Sequence, residues 1–489
     1  MTTETDMPVE PSSDVSGVDP ERLQAALDVI AQLDTLPIDH PDAVAIQRAT
    51  SRLYATVRKR RRNERRDAIT AADNAVYAAT ATAAPGRIDD ETAGIPLASA
   101  TAGGTAGTLL RARPCYVCKQ RYTQVDAFYH QLCPPCAVTH HGKRGARTDL
   151  TSRRALLTGG RAKIGMYIAL RLLRDGAHTT ITTRFPRDAA RRFASMEDSP
   201  EWLHRLRIVG IDLRDPAQVV ALADSVIEQG PLDILINNAA QTVRRSPGAY
   251  AHLAAAEDVA LAPGPAPEVI SFGPARAMHP ALLTEALAER SPLAPEALAE
   301  LALTARSADP ERVGTGVAID AGGLVPDEAH INSWTQNVEQ VDPIEMLEVQ
   351  LCNATAPFIL VSRLRPALAA SAARRTYIVN VSAMEGSFNR GYKGPGHPHT
   401  NMAKAALNML TRTSAHELLD DGILMTSVDT GWITDERPHF TKLRLADEGF
   451  HAPLDLVDGA ARVYDPIVRG EAGEDLHSCF LKDYEKAVW

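Results

Sequence analysis

The chain has 489 residues, 45% of them hydrophobic and 23% charged, with a net charge of −9. This composition is ordinary for a globular protein, and the length leaves room for two or three domains. The acidic balance speaks against a general nucleic-acid binder. The opening MTTETDMPVEPSSD lacks a basic-then-apolar signal pattern, and no apolar run approaches the ~18 residues of a membrane span, so a cytoplasmic protein without a membrane segment is expected.

Residues 1–20 are polar, acidic and proline-bearing, and read as a disordered tail. Residues 21–112 read as a helical arm followed by an Ala/Gly/Thr-rich linker from residue 82 onward, with Pro37 and Pro41 separating two helices. Arg58 to Arg66 holds seven basic residues. They read as a solvated helix face, or as a contact for nucleic acid or an acidic protein.

Residues 113–150 form a small four-cysteine module. Cys115 and Cys118 are separated by fourteen residues from Cys133 and Cys136, giving two C-x-x-C knuckles. Each knuckle can turn two thiolates toward one ion, and the set suits one structural Zn2+ in tetrahedral coordination. A redox dithiol, which needs one knuckle, and a disulfide staple, which needs an oxidising compartment, are the rival readings. His130, His140 and His141 stand nearby as substitute ligands. Cys352 and Cys479 are isolated and read as buried thiols.

Residues 151–489 alternate strand and helix. A strand at 154–158 runs into a turn containing Gly159, Gly160, Arg161, Lys163, Ile164 and Gly165, which opens a helix at 166–174. Such a turn brings backbone amides and a helix N-terminus to a pyrophosphate. Further strands are predicted at 178–183, 207–211, 232–236, 377–381, 423–428 and 479–481, mostly separated by helices. The fold class is therefore α/β, a doubly wound parallel sheet of the Rossmann type, with the helical arm and the four-cysteine zinc module in front. An insertion at about 242–340 includes a segment, 261–308, whose composition reads as helical. It can roof the substrate cleft, or form an oligomer or partner surface.

The motifs of this region, in order and spacing, resemble the short-chain dehydrogenase/reductase (SDR) family. They are T-G-x-x-x-x-I-G from Thr158 to Gly165, Asp212 with Leu213, Asn237 to Ala240, Asn353, the IVNVSAMEG run, Lys404, and VDTGWI ending at Ile433. The resemblance implies an NAD(P)-dependent oxidoreductase acting on the carbonyl or alcohol group of a small molecule. It places Asp212 and Leu213 by the adenine, and Asn238, Ala239 and Ala240 along the cofactor. Thr430, Gly431, Trp432 and Ile433 are placed by the nicotinamide, and Lys404 on its ribose. A homodimer built through the helices after Pro343 and Thr400 is also implied. Arg184 ends the second strand and Arg161 lies in the glycine turn. Guanidinium forks match a 2′-phosphate, so NADP is expected ahead of NAD.

The chain also departs from the family pattern. Lys163 replaces the middle glycine of the turn, and Ala383 and Thr400 stand at the catalytic serine and tyrosine positions. Asn353 and Lys404 match, while Ser382 is one residue off, which in a strand turns it to the other face. The family's tyrosine has its pKa brought down from ~10 by the lysine, and an aliphatic hydroxyl at Thr400 cannot replace it. The long loop before Thr400 carries Tyr392, His397 and His399, and histidine titrates near neutrality. The catalytic candidates are thus Asn353, Lys404, Thr400, Ser382, His399 and Tyr392, with His330 of the insertion in reserve. Two functions stay open: an oxidoreductase, or a catalytically degenerate NADP-binding sensor or scaffold whose zinc module grips a partner.

Overall fold

The N-terminal arm begins where Asp19 accepts the N–H groups of Glu21 and Arg22 and caps α1 (Pro20–Gln32), with proline in its first turn. The computed structural model describes residues 17–87, 104–245, 247–272, 320, 323–324, 329–391, 393–434 and 436–489. They fall into two units, Met1–Ala72 and Asp73–Trp489. In the first, α1 buries none of its side chains, and α2 (Pro41–Ala78) exposes all seven basic residues of its Arg58 to Arg66 run.

In the second unit the end of α2 is followed by an antiparallel hairpin, β1 (Thr105–Pro114) and β2 (Arg121–Asp126), and then α3 (Pro134–Arg144). Residues 105–112, expected to be linker, are therefore strand. Leu109 is buried with Tyr122 and Val125, and Val76 and Tyr77 pack against them, so the small residues around Leu109 serve close packing. Residues 81–83 are also fixed: Ala81 and Thr82 donate backbone hydrogen bonds to the carbonyls of Ala127 and Phe128.

The α/β body follows. β3 (Arg154–Leu157) leads into α4 (Lys163–Arg174), then β4 (His178–Thr183), α5 (Pro186–Ala194), α6 (Ser199–Trp202) and β5 (Leu206–Gly210). Next come α7 (Pro216–Ile227), β6 (Ile234–Asn237), α8 (Pro247–Asp258) and β7 (Glu268–Ser271). After the insertion, α9 (Pro343–Gln350) passes through a π-helical turn, Leu351–Thr355, into α10 (Ala356–Ala369). The chain ends with β8 (Thr376–Ser382), α11 (Pro398–Asp420), β9 (Ile423–Asp429), α12 (His439–Asp447), α13 (Leu456–Glu471), β10 (Cys479–Lys482) and β11 (Glu485–Ala487).

The sheet order is β11-β10-β9-β8-β6-β3-β4-β5-β7, parallel throughout except for the β10–β11 hairpin. β7 corrects the expectation of helix beyond residue 261: Glu268–Ser271 extends the sheet beside β5, because a four-residue apolar run has no period long enough to separate strand from helix. Residues 273–319 lie outside the described residues. One core packs Ile168, Phe193, Tyr464 and Ile467 against one face of the sheet; Val219, Leu222, Leu360 and Leu418 fill the other. Among the described residues, Pro343–Ala369 is long and apolar enough, by length and composition, to cross a membrane, although Glu345, Glu348, Arg363 and Arg365 interrupt it. Half of its apolar window is buried, and Leu360 and Leu364 sit in the core.

β3 has β4 on one side and β6 on the other, so the strand order reverses there. In open α/β sheets the crevice beyond such a reversal, at the carboxyl ends of the strands, receives the ligand.

Candidate functional site

The turn after β3 is closed by one threonine and one asparagine. Thr158 Oγ1 accepts the backbone N–H groups of Asn238 and Ala239, each at 3.0 Å. The Asn238 side chain donates back to the carbonyls of Thr158 (3.0 Å) and Gly159 (3.1 Å). The loops after β3 and β6 are thereby one structure. Gly165 lets α4 approach it, since a Cβ there would lie 2.0 Å from the Gly159 carbonyl oxygen; Gly159 itself has φ +70°. A Cβ on Gly160 would lie 2.6 Å from Ile181. Lys163 takes φ +54° without glycine's freedom, and its Nζ lies 3.4 Å from the Asp320 carboxylate of the insertion. Ile164 packs toward Ile433 and Leu454, and Ala240 is exposed.

At the far end of the crevice Arg184 leaves β4 with its guanidinium 4.7 Å from the Tyr250 ring and 5.7 Å from that of Phe185. Arg161 lies over the same Phe185 ring at 5.4 Å, and is paired with Asp188 at 2.6 Å. The two guanidiniums do share one aromatic platform, but Arg161 arrives with a carboxylate attached. Leu213 is buried, and Asp212 binds Arg214 (2.7 Å), which also reaches Glu348 of α9 (2.9 Å). Asp212 thus braces the sheet end against α9, a tie between residues too far apart in sequence to be read there.

At the other end, the Asn353 amide in the π turn accepts from Gln241 N–H (2.7 Å) and donates to Gln241 C=O (2.8 Å). Both of its polar ends are occupied, so Asn353 pins the chain leaving β6. Lys404 donates to the Val381 carbonyl (2.8 Å), and burial brings its pKa down to about 8. This bond seats the start of α11 on the end of β8. Thr400 precedes Lys404 by one helical turn, and Ser382 ends β8. The side chains of Ser382, His399 and Thr400 are all buried there without a full hydrogen bond among the described residues. Burial, with His397 as a smaller contributor, holds the His399 pKa below the ordinary histidine range. His397 is turned elsewhere, stacked on Trp334 at 4.0 Å with Nδ1 bonded to the Trp334 carbonyl. His330 stacks on Phe440 at 4.7 Å. Tyr392 lies outside the described residues.

The Sγ atoms of Cys115, Cys118, Cys133 and Cys136 all lie within 4.8 Å of one another, and all four are free thiols. A tetrahedral ion with metal–sulfur bonds of ~2.3 Å needs sulfurs about 3.8 Å apart, so the set could hold one. The neighbouring histidines are engaged: His130 with Thr82, His140 with Arg462 and the Cys136 carbonyl, and His141 with Asp126. The knuckles do not stand apart from the α/β body. Tyr129 donates to Asp458 (2.6 Å), and Arg144 bonds Asp455 and Asp458. Tyr129, Leu132 and Ala137 share a core with Ile433 and Leu454. Tyr116, inside the first knuckle, accepts the Trp432 N–H at 2.9 Å. Its place inside C-Y-V-C was the sequence signal, one that spacing alone does not interpret.

A family model described as short chain dehydrogenase matches residues 153–259. A protein of Acanthamoeba polyphaga mimivirus, R665, is 31% identical over 376 residues, covering 73% of this chain and 71% of its own length. A peroxisomal 2,4-dienoyl-CoA reductase of Pongo abelii is 34% identical over 120 residues, which are 24% of this chain and 35% of that enzyme. Among solved structures, an NADPH-bound carbonyl reductase from chicken fatty liver aligns over 70% of this chain and all of its own, at 19% identity and a TM-score of 0.42. The matched segment contains the closed Thr158–Asn238 turn and β3 to β6 of the Rossmann-type sheet, and the remaining family motifs follow in order. The chain belongs to the short-chain dehydrogenase/reductase superfamily.

Proposed function

We propose that the protein is an NADP-dependent oxidoreductase acting on the carbonyl or alcohol group of a small molecule, with a structural zinc in its four-cysteine cluster. The observation that carries this reading is the nucleotide turn, closed by Thr158 and Asn238 and packed on Gly165, with Arg184 beside it at the end of β4. NADP(H), when bound, supplies or accepts the hydride. Arg184 offers its guanidinium to the 2′-phosphate. Lys404, charged below a pKa of about 8, offers its ammonium to the nicotinamide ribose. Thr400 and Ser382 can hold a substrate oxygen by hydrogen bonds but are too weakly acidic to give up a proton near neutrality. His399 takes that part: neutral, its ring nitrogen accepts an alcohol proton; protonated, it donates one to a carbonyl oxygen. The four thiolates would fill the coordination shell of zinc, leaving no position for substrate.

The dimer expected of the family finds support in the exposed Leu347, Phe358, Met402 and Met409 on the helices after Pro343 and Thr400. The sensor reading draws on a different observation, the loss of serine and tyrosine at Ala383 and Thr400. Incubation with NADPH and a panel of aldehydes, ketones and enones, with NADPH oxidation followed at 340 nm, separates the two. Turnover that His399→Asn abolishes supports the enzyme. Tight NADPH binding without turnover supports the sensor, and absence of binding overturns both.

A further inference from the structure

We propose that Tyr116 is a positioning residue for the nicotinamide half of the cofactor, so that the four-cysteine cluster sets the shape of the loop that receives it. The inference rests on the NADP and zinc readings above. Tyr116 sits between Cys115 and Cys118, and its hydroxyl accepts the Trp432 N–H at 2.9 Å. Its own backbone is fixed: Tyr116 N–H donates to the Gln131 carbonyl (2.8 Å), and Cys115 N–H to that of Gln120 (2.9 Å). Cys133 N–H donates in turn to Cys115 Sγ at 3.3 Å, joining the two knuckles. The phenol is thus a strut with one end set by the cysteines and the other on the loop.

A second tie runs from the same module. His140, one turn after Cys136 on α3, receives a hydrogen bond from Arg462 at 3.1 Å. Arg462 is buried directly beneath Gly431, where a Cβ would meet its guanidinium at 1.8 Å. Gly431 has φ +79°, so the loop bends over that guanidinium in a way other residues would resist. Ile433 closes the set, buried with Tyr129, Leu132 and Leu454, and Tyr116 and Val117 pack against them. Three consecutive residues, 431 to 433, are therefore each held by the cysteine module or by a side chain bonded to it. Ile164 of the glycine turn also packs on this core, but among the described residues no hydrogen bond or ion pair joins the cysteine module to Thr158, Asn238 or Arg184, and Tyr116→Phe leaves the Ile164 packing in place. Disturbing the strut should weaken the nicotinamide half of binding alone.

The test compares NADPH with 2′-phospho-ADP-ribose, which lacks the nicotinamide, by calorimetry on the full-length protein and on Tyr116→Phe. Loss of one hydrogen bond to a backbone amide should weaken NADPH about three- to tenfold and leave 2′-phospho-ADP-ribose unchanged. Removing metal from the wild type with a chelator should produce a selective loss at least as large, and should need no substitution. Equal weakening of both ligands, or no weakening of either, overturns the inference. Failure of the untreated wild type to bind either ligand overturns the NADP reading beneath it, and this inference with it. An untreated protein without metal overturns the zinc reading, and this inference with it.

Discussion

As the proposed acid, His399 differs from the phenol whose place Thr400 occupies. Its pKa is held down by burial, so the protonated ring disappears as pH rises through a value below that of free histidine, ~6.5. Carbonyl reduction needs the protonated form, and its kcat should fall with rising pH across that low pKa. Alcohol oxidation needs the neutral form and should rise over the same range, then decline near pH 8 as Lys404 loses its charge. A family tyrosine would place the ascending limb near neutrality instead, so the pH profile of oxidation decides between them. His399→Asn should lower kcat at least about tenfold while the NADPH Kd stays put. Arg184 makes a separate case: it is exposed, so Arg184→Ala should cut the NADP-over-NAD preference by about tenfold or less. An unchanged ratio in calorimetry would remove Arg184 from the 2′-phosphate. The placement of Thr158 and Gly165 in the turn after β3, and of Lys404 one helical turn after Thr400, was legible in the sequence because it follows from local spacing. The pair of hydrogen bonds between Asn353 and Gln241 was not, because it spans the whole insertion and depends on how α9 docks.

Among elements, the parallel strands were read to within a residue or two because each is a short apolar run ended by a turn. β1, β2, β7 and β11 were missed for a common reason: their partners, not their own patterns, make them strands. β1 is rich in small residues and pairs only with β2, while β7 finds its place beside β5. The cysteine module was recognisable by spacing, yet its docking was not, since Tyr116 and Tyr129 look like any aromatics in a small core. That docking changes what metal loss should do. On heating, a detached module would melt by itself, whereas one sharing a core with Ile433 and Leu454 should melt in one transition with the α/β body, above the temperature at which binding is measured. Elemental analysis should find about one zinc per chain. Cys133→Ser should lower the melting temperature of the main transition rather than add an early one, and calorimetric scanning reads the difference. The helices after Pro343 and Thr400 bear on assembly. Phe358→Asp with Met409→Asp places two charges on exposed apolar positions and should shift a dimer to monomer in light scattering without lowering the melting temperature of the monomer. A wild-type mass of one chain would refute the dimer outright.

At the scale of the whole chain, the boundary that matters lies near Asp73 rather than after the cysteines. The last turn of α2 belongs to the larger unit: Asp73 is buried and its carboxylate accepts the Leu110 N–H at 2.7 Å, while Val76 packs on the core around Leu109. Arg87 reaches the backbone carbonyls of Ala452 and Leu454, tying the segment after α2 to the chain that precedes α13. The sequence suggested a cut near residue 150, where composition changes and the strand–helix alternation begins. Composition marks where a pattern starts, whereas a folding boundary lies where few buried contacts cross. Two truncations distinguish these. A chain beginning at Asp67 keeps a helical turn ahead of Asp73, loses the basic run, and should bind NADPH with wild-type affinity and melt within a few degrees of the full chain. A chain beginning at Arg153 keeps every family motif but strips the cover from Ile433, Leu454 and Ile164, and leaves Asp455 and Asp458 without Arg144. Uncovered apolar surface and a buried acidic pair without its cation are both costly, so this shorter chain should aggregate or melt far earlier. Should it instead fold and bind NADPH as well as the full chain, the cysteine module would be an accessory, and the strut from Tyr116 to Trp432 would carry no weight in cofactor binding.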